Sequence, residues 1–225
     1  MAQPFQSHRL VLCEGIEDAA FLRELCNKRN LGSFDIRPVE DIGGIKGVTG
    51  FQSALCVAVQ DREFKRVTRL ILIADSDEPH QNTFAKICAQ ITRANQDTNV
   101  NGIFAVPQNP YELTGGHPRI SILLFPAPNS KGALDTLLWS ALKAIPAHGR
   151  VVDAAEQAVQ HARISSGNSK WPQSKLDKAL VRIAIALLNK DNPAVSISRL
   201  WRDNPNLIPV THRVFDDLEN VLSGI

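Results

Sequence analysis

The sequence predicts an α/β protein: a mainly parallel sheet flanked by helices, with an α-helical C-terminal segment. Two observations carry this expectation. Strand-length apolar runs alternate with segments of helical periodicity through the first half of the chain, the pattern of βαβ units. From Lys131 onward the apolar spacing is helical. The 225 residues are 44% hydrophobic and 21% charged, values that provide a core and exclude a disordered tail, a collagen-like chain or a coiled coil.

Residues 9–13, apolar after Arg9 and bounded by Glu14-Gly15, read as a buried strand. Residues 17–29 place Ala19, Leu22 and Cys26 on one helical face, with Asp18 in the first turn and Gly32 closing the segment. Residues 34–39 read as a second strand and 41–47 as a glycine-rich turn. A helix over residues 49–60 carries Phe51, Leu55, Cys56 and Val59. Residues 69–74 form the strongest strand signal and run into Asp75-Ser-Asp-Glu-Pro79. A helix over 81–94 and strands at 102–106 and 120–125 follow.

Leu134, Leu137, Leu138 and Leu142 share a helical face, and residues 151–162 are alanine-rich and amphipathic. A polar stretch, 165–169, precedes a helix over 174–190 capped by Ser174, and a last helix spans 212–222. The chain thus divides into an α/β part, residues 1–145, and a helical segment, 146–225.

No apolar run approaches the roughly 20 residues of a membrane span, and the mostly polar first nine residues, with Glu14 breaking the apolar run that follows, argue against a signal peptide. Cys13, Cys26, Cys56 and Cys88 sit in apolar patterns without a Cys-x-x-Cys pair, which points to buried thiols in a cytoplasmic protein. The net charge of +2 permits a nucleic-acid enzyme without predicting one.

In open α/β sheets, ligands bind beyond the carboxyl ends of strands where the strand order reverses. Glu14 follows the first strand and Asp75 the third. Asp77 shares a face with Asp75 by the two-residue period. If these strands are neighbours, the three carboxylates crowd together, and a hard cation such as Mg²⁺ offsets their repulsion. Each has a plainer reading: Glu14 and Asp18 as helix N-terminal acids, Asp75 and Asp77 as an acidic turn. Lys131 and Asp135 read equally as charges at a helix start. His80, Lys46 and the three tryptophans read as structural or surface residues rather than ligand contacts.

Glu14-Gly-Ile-Glu-Asp18 after one strand, with Asp75-Ser-Asp77 after a later one, resembles the Toprim domain of topoisomerases, bacterial primases, OLD-family nucleases and small RNA-maturing ribonucleases. Lys131-Gly-Ala-Leu-Asp135 is similar to the Lys and Leu-Glu/Asp element of OLD-type Toprim nucleases, although Asp135 stands where those often carry Glu. The tail, with Ser174-Lys-Leu-Asp-Lys-Ala-Leu-Val-Arg182 and Pro193-Ala-Val-Ser-Ile197, is similar to a group of small bacterial Toprim-like proteins. There is no Gly-x-x-x-x-Gly-Lys-Ser/Thr loop, and Tyr111 is the sole tyrosine.

The resemblance implies a Mg²⁺- or Mn²⁺-dependent nuclease acting on DNA or RNA. Asp75 and Asp77 would hold the metal, Glu14 would share it or act as general acid or base, Asp18 would serve a second ion, and Lys131 would offset charge on the phosphate. The alternative is a non-catalytic Toprim-like module working beside a partner ATPase. A phosphatase-like hydrolase is a third reading. Oligomeric state is left open.

Overall fold

The computed structural model describes residues 4–76, 79–126, 131–167 and 171–224. In chain order its elements are β1 (Arg9–Cys13), α1 (Ile16–Lys28), β2 (Asp35–Pro38), α2 (Val39–Gly43), α3 (Gly50–Ala58), β3 (Arg69–Asp75), α4 (His80–Asn95), β4 (Arg119–Phe125), α5 (Leu134–Ala144), α6 (Gly149–Ser165), α7 (Gln173–Leu188), α8 (Ile197–Asp203) and α9 (Asp216–Gly224). The four strands form one parallel sheet in the order β2-β1-β3-β4. The expected α/β architecture is what the chain adopts.

A parallel sheet covered on both faces needs strands that are apolar at every position. In β3, Leu70 to Ala74 are all buried. The pleat sorts them into two cores. Leu10, Leu12, Leu70, Leu72, Ile120 and Ile122 meet Phe51, Leu55, Ile87 and Ile91 of α3 and α4. Val11, Cys13, Ile71, Ile73, Leu123 and Phe125 face α1 and α5. That second core continues without a break into Val159, Val181, Ile185, Trp201 and Leu222 of the C-terminal helices. Phe21 joins the two parts: its ring lies 6.1 Å from Phe125, 5.5 Å from Trp201 and 5.2 Å from Phe215.

Several expectations need correction. Residues 102–106 are not a strand. The Asn95 side chain binds both the amide and the carbonyl of Phe104, at 3.1 and 2.7 Å, so those groups have a partner without a neighbouring strand. Ser174 does not cap α7, which begins one residue earlier after Pro172. The last helix begins at Asp216, preceded by a 3₁₀ turn over Arg213–Phe215. The glycine-rich turn is shorter than expected, because α2 occupies its first residues before Gly44 and Gly47 take φ of +72° and +76°. Cys13 and Cys26 are buried, whereas Cys56 and Cys88 are half-buried. The end of the polar stretch, residues 168–169, lies outside the described residues. Among the described residues no helix is long and apolar enough to cross a membrane.

Candidate functional site

The strand order reverses at β1, which pairs with β2 on one side and β3 on the other. Glu14 and Asp75 stand at the carboxyl ends of the two strands that flank this point. The ladder pins them there. The Glu14 amide donates to the Ile73 carbonyl at 2.9 Å, and the Asp75 amide donates to Glu14 Oε2 at 3.1 Å. Asp75 Oδ1 in turn accepts from the Leu134 amide at 3.0 Å, the first residue of α5. A helix start presents amides without intrahelical acceptors, and Asp75 satisfies one of them.

Two further carboxylates close on this pair. Asp18 reaches back from the first turn of α1 to accept from the Gly15 amide at 2.9 Å. It is only 5% exposed. Burial first, then the charge of Glu14, push its pKa up to about 7. Asp135, at the second position of α5, is 7% exposed, and among the described residues its Oδ1 has no hydrogen-bond partner. Burial raises its pKa, while Lys178 and Arg182 of α7 oppose the rise. Arg182 is itself ion-paired with Glu17 of α1.

The start of α5 is set by its own sequence. Ser76 and Gly132 exchange backbone hydrogen bonds of 2.8 and 2.9 Å, tying the end of β3 to the entry of α5. Gly132 takes φ of +142°, and a Cβ there would collide with Thr136. Thr136 Oγ1 accepts from the Ala133 amide at 3.1 Å and donates to the buried Asp177 of α7 at 2.7 Å.

A cleft of about 300 Å³ is lined by Glu14, Glu17, Asp18, Asp75, Asp135, Lys46 and Lys178. A second, of about 430 Å³, shares Glu14 and Asp75 and runs to Thr49, Thr83, Lys86, Gln90 and Arg93. The sequence-predicted Glu14, Asp18 and Asp75 are therefore brought together, with Asp135 beside them. Lys131 lines a different cleft, with Thr136, Ser140 and Asp217. Asp77 lies outside the described residues. His80 serves the structure: its Nδ1 pairs with Ser76 Oγ at 2.8 Å and its Nε2 with Tyr111 OH at 3.1 Å.

A family described as "Protein of unknown function (DUF3226)" matches residues 8–223. The chain belongs to the DUF3226 family. No curated protein and no solved structure matches it. The family match runs from β1 to α9 and so takes in every strand and helix that lines the two clefts.

The side chains at the switch point of this DUF3226 chain are oxygen donors, which suit a hard cation. Among the described residues no group of three His, Cys, Asp or Glu is placed to hold a metal ion. Mg²⁺ commonly takes one or two protein carboxylates and fills its remaining positions with water and substrate phosphate. Glu14 and Asp75 fit that smaller requirement. Sequence reasoning missed Lys178, Lys86 and Arg93 as cleft residues. The polar face of α4 held a signal for the last two, since residues 83, 86, 90 and 93 follow helical spacing.

Proposed function

We propose that this DUF3226 protein is a Mg²⁺- or Mn²⁺-dependent hydrolase of nucleic-acid phosphodiesters, a nuclease of Toprim-like type. The observation that carries the reading is the meeting of Glu14 and Asp75 at the carboxyl ends of β1 and β3, at the switch point of a parallel sheet. Asp75 and Glu14 would hold the metal, with Asp77 completing the set by its place in the sequence. When bound there, the metal lowers the pKa of a coordinated water and offsets charge on the phosphate.

The chain's own residues do the rest. The Asp75 amide holds Glu14 by Oε2 and orients the carboxylate as general base toward water entering the cleft. The water oxygen bonds to phosphorus, its proton passes to Glu14, the bond from phosphorus to the leaving sugar oxygen breaks, and that oxygen takes a proton from solvent water. Lys46 and Lys178 at the cleft edge offset the charge that develops on the phosphate oxygens. The Leu134 amide holds Asp75 by Oδ1.

The test is cleavage of labelled DNA and RNA oligonucleotides in Mn²⁺ and Mg²⁺. Glu14→Gln keeps an acceptor for the Asp75 amide and loses the base, so the rate should fall by roughly 10² to 10⁴. Cleavage at the wild-type rate by Glu14→Gln contradicts this role. A folded wild type that binds metal and cleaves neither substrate shifts the reading to the non-catalytic module.

A further inference from the structure

The larger cleft extends away from the carboxylates along α4, and its wall carries groups that the hydrolytic step does not use. Thr83 and Gln90 are 5% and 7% exposed and line the cleft, and neither side chain has a hydrogen-bond partner among the described residues. Their polar groups open onto the cleft, so both are placed to bond a ligand that enters it. Lys86 and Arg93 line the same cleft. These four side chains stand at helical spacing on one face of α4. Glu14 and Asp75 close the other end.

We propose that the cleft between α4 and the Val48–Thr49 turn binds the backbone of a nucleic-acid strand next to the bond to be cleaved. Lys86 and Arg93 contact its phosphates, and Thr83 and Gln90 hydrogen-bond to its sugar and base edges. The spacing favours a strand over a single nucleotide. Lys86 and Arg93 are seven residues apart, about 10 Å along the helix axis. Successive nucleotides of one strand advance about 3.4 Å along a duplex, so a strand can set separate phosphates against the two cations. The assignment deepens the nuclease reading and rests on it for the direction of the strand toward Glu14.

The test is fluorescence anisotropy of a short labelled oligothymidylate in EDTA, with the full chain, across a salt series. Wild type should bind. Arg93→Ala should bind more weakly and lower the slope of log affinity against log salt by about 0.7, the loss of one phosphate contact on a single strand. Thr83→Val and Gln90→Leu should each weaken binding by up to about tenfold with the slope unchanged. Arg150→Ala removes the same charge from an exposed position on α6 and should change neither. Any of these results overturns the inference: no binding by folded wild type, an effect of Arg150→Ala equal to that of Arg93→Ala, or thymidine monophosphate competing as well as the oligomer. Because EDTA excludes cleavage, a chain that binds as described yet fails to cleave when Mn²⁺ is added keeps this site and loses the nuclease reading. A chain that cleaves while Arg93→Ala binds unchanged loses this site and keeps that reading.

Discussion

Asp18 sits in surroundings that oppose its charge. Its carboxyl is moved from an ordinary 3.8 to about 7 by burial and by Glu14. A raised carboxyl pKa means that the native state binds an additional proton over that interval. The associated stability is therefore present in full below about pH 4 and is lost as pH rises through about 7. The metal-free protein should melt at progressively lower temperature across that range. Asp18→Asn, which still accepts from the Gly15 amide, should flatten this part of the curve. A variant with an unchanged pH slope contradicts the assignment. Gly132 gives a second test at this scale. Its φ of +142° and the proximity of Thr136, whose Cβ would lie 2.9 Å from an added Cβ, predict that Gly132→Ala costs about 1–3 kcal/mol. Urea denaturation reads that loss directly, and a neutral result would mean that the entry to α5 is not built as described.

Individual elements show how closely the site and the fold share their supports. α5 offers its first amide to Asp75, buries Asp135 beside the acidic cleft and grips α7 through Thr136 and Asp177. α1 contributes Asp18 at its start and is tied down at its end by Arg29. That guanidinium donates to the carbonyls of Val210 and His212 at 2.8 and 2.7 Å and pairs with Asp216 and Glu219 of α9. Its side chain is only 8% exposed, so Arg29→Ala leaves the Val210 and His212 carbonyls without this donor and frees two carboxylates that are partly in solvent. The loss should be about 1–3 kcal/mol in thermal or chemical unfolding, most of it from the two carbonyl hydrogen bonds. Arg29→Lys should recover only part of it, because one ammonium cannot span the same four acceptors. Full recovery by lysine would show that charge alone, rather than the planar fork, secures the C-terminal segment. These four strands and the long helices were legible in the sequence because their periods are long enough to read. The short α2 and α8 were not, since five and seven residues barely complete one or two turns. The apolar run at 102–106 misled because strand propensity does not register that Asn95 supplies the partners a ladder would have given.

Across the whole molecule, the parallel sheet separates two tasks. One face carries a core against α3 and α4, and the other a core that continues into the C-terminal helices. The aromatic contact of Phe21 with Phe125, Trp201 and Phe215 joins the sheet to that helical part, so Phe21→Ala should cost about 3–5 kcal/mol in a single cooperative transition. Two separate transitions would contradict a continuous core. The acidic pair was legible because strand ends are legible: once β1 and β3 are recognised as apolar runs, Glu14 and Asp75 follow as their next residues. The basic and polar lining was not, because it depends on which face of α4 and α7 the tertiary packing turns toward the switch point. The central claim is that Glu14 and Asp75 form a divalent-cation site there. Its most direct test is calorimetric titration of Mn²⁺ and Mg²⁺ into wild type and Asp75→Asn, a substitution that preserves an acceptor for the Leu134 amide. The account predicts saturable binding by wild type and loss of that binding in the variant. Equal binding by both proteins, or none by folded wild type at millimolar metal, contradicts it.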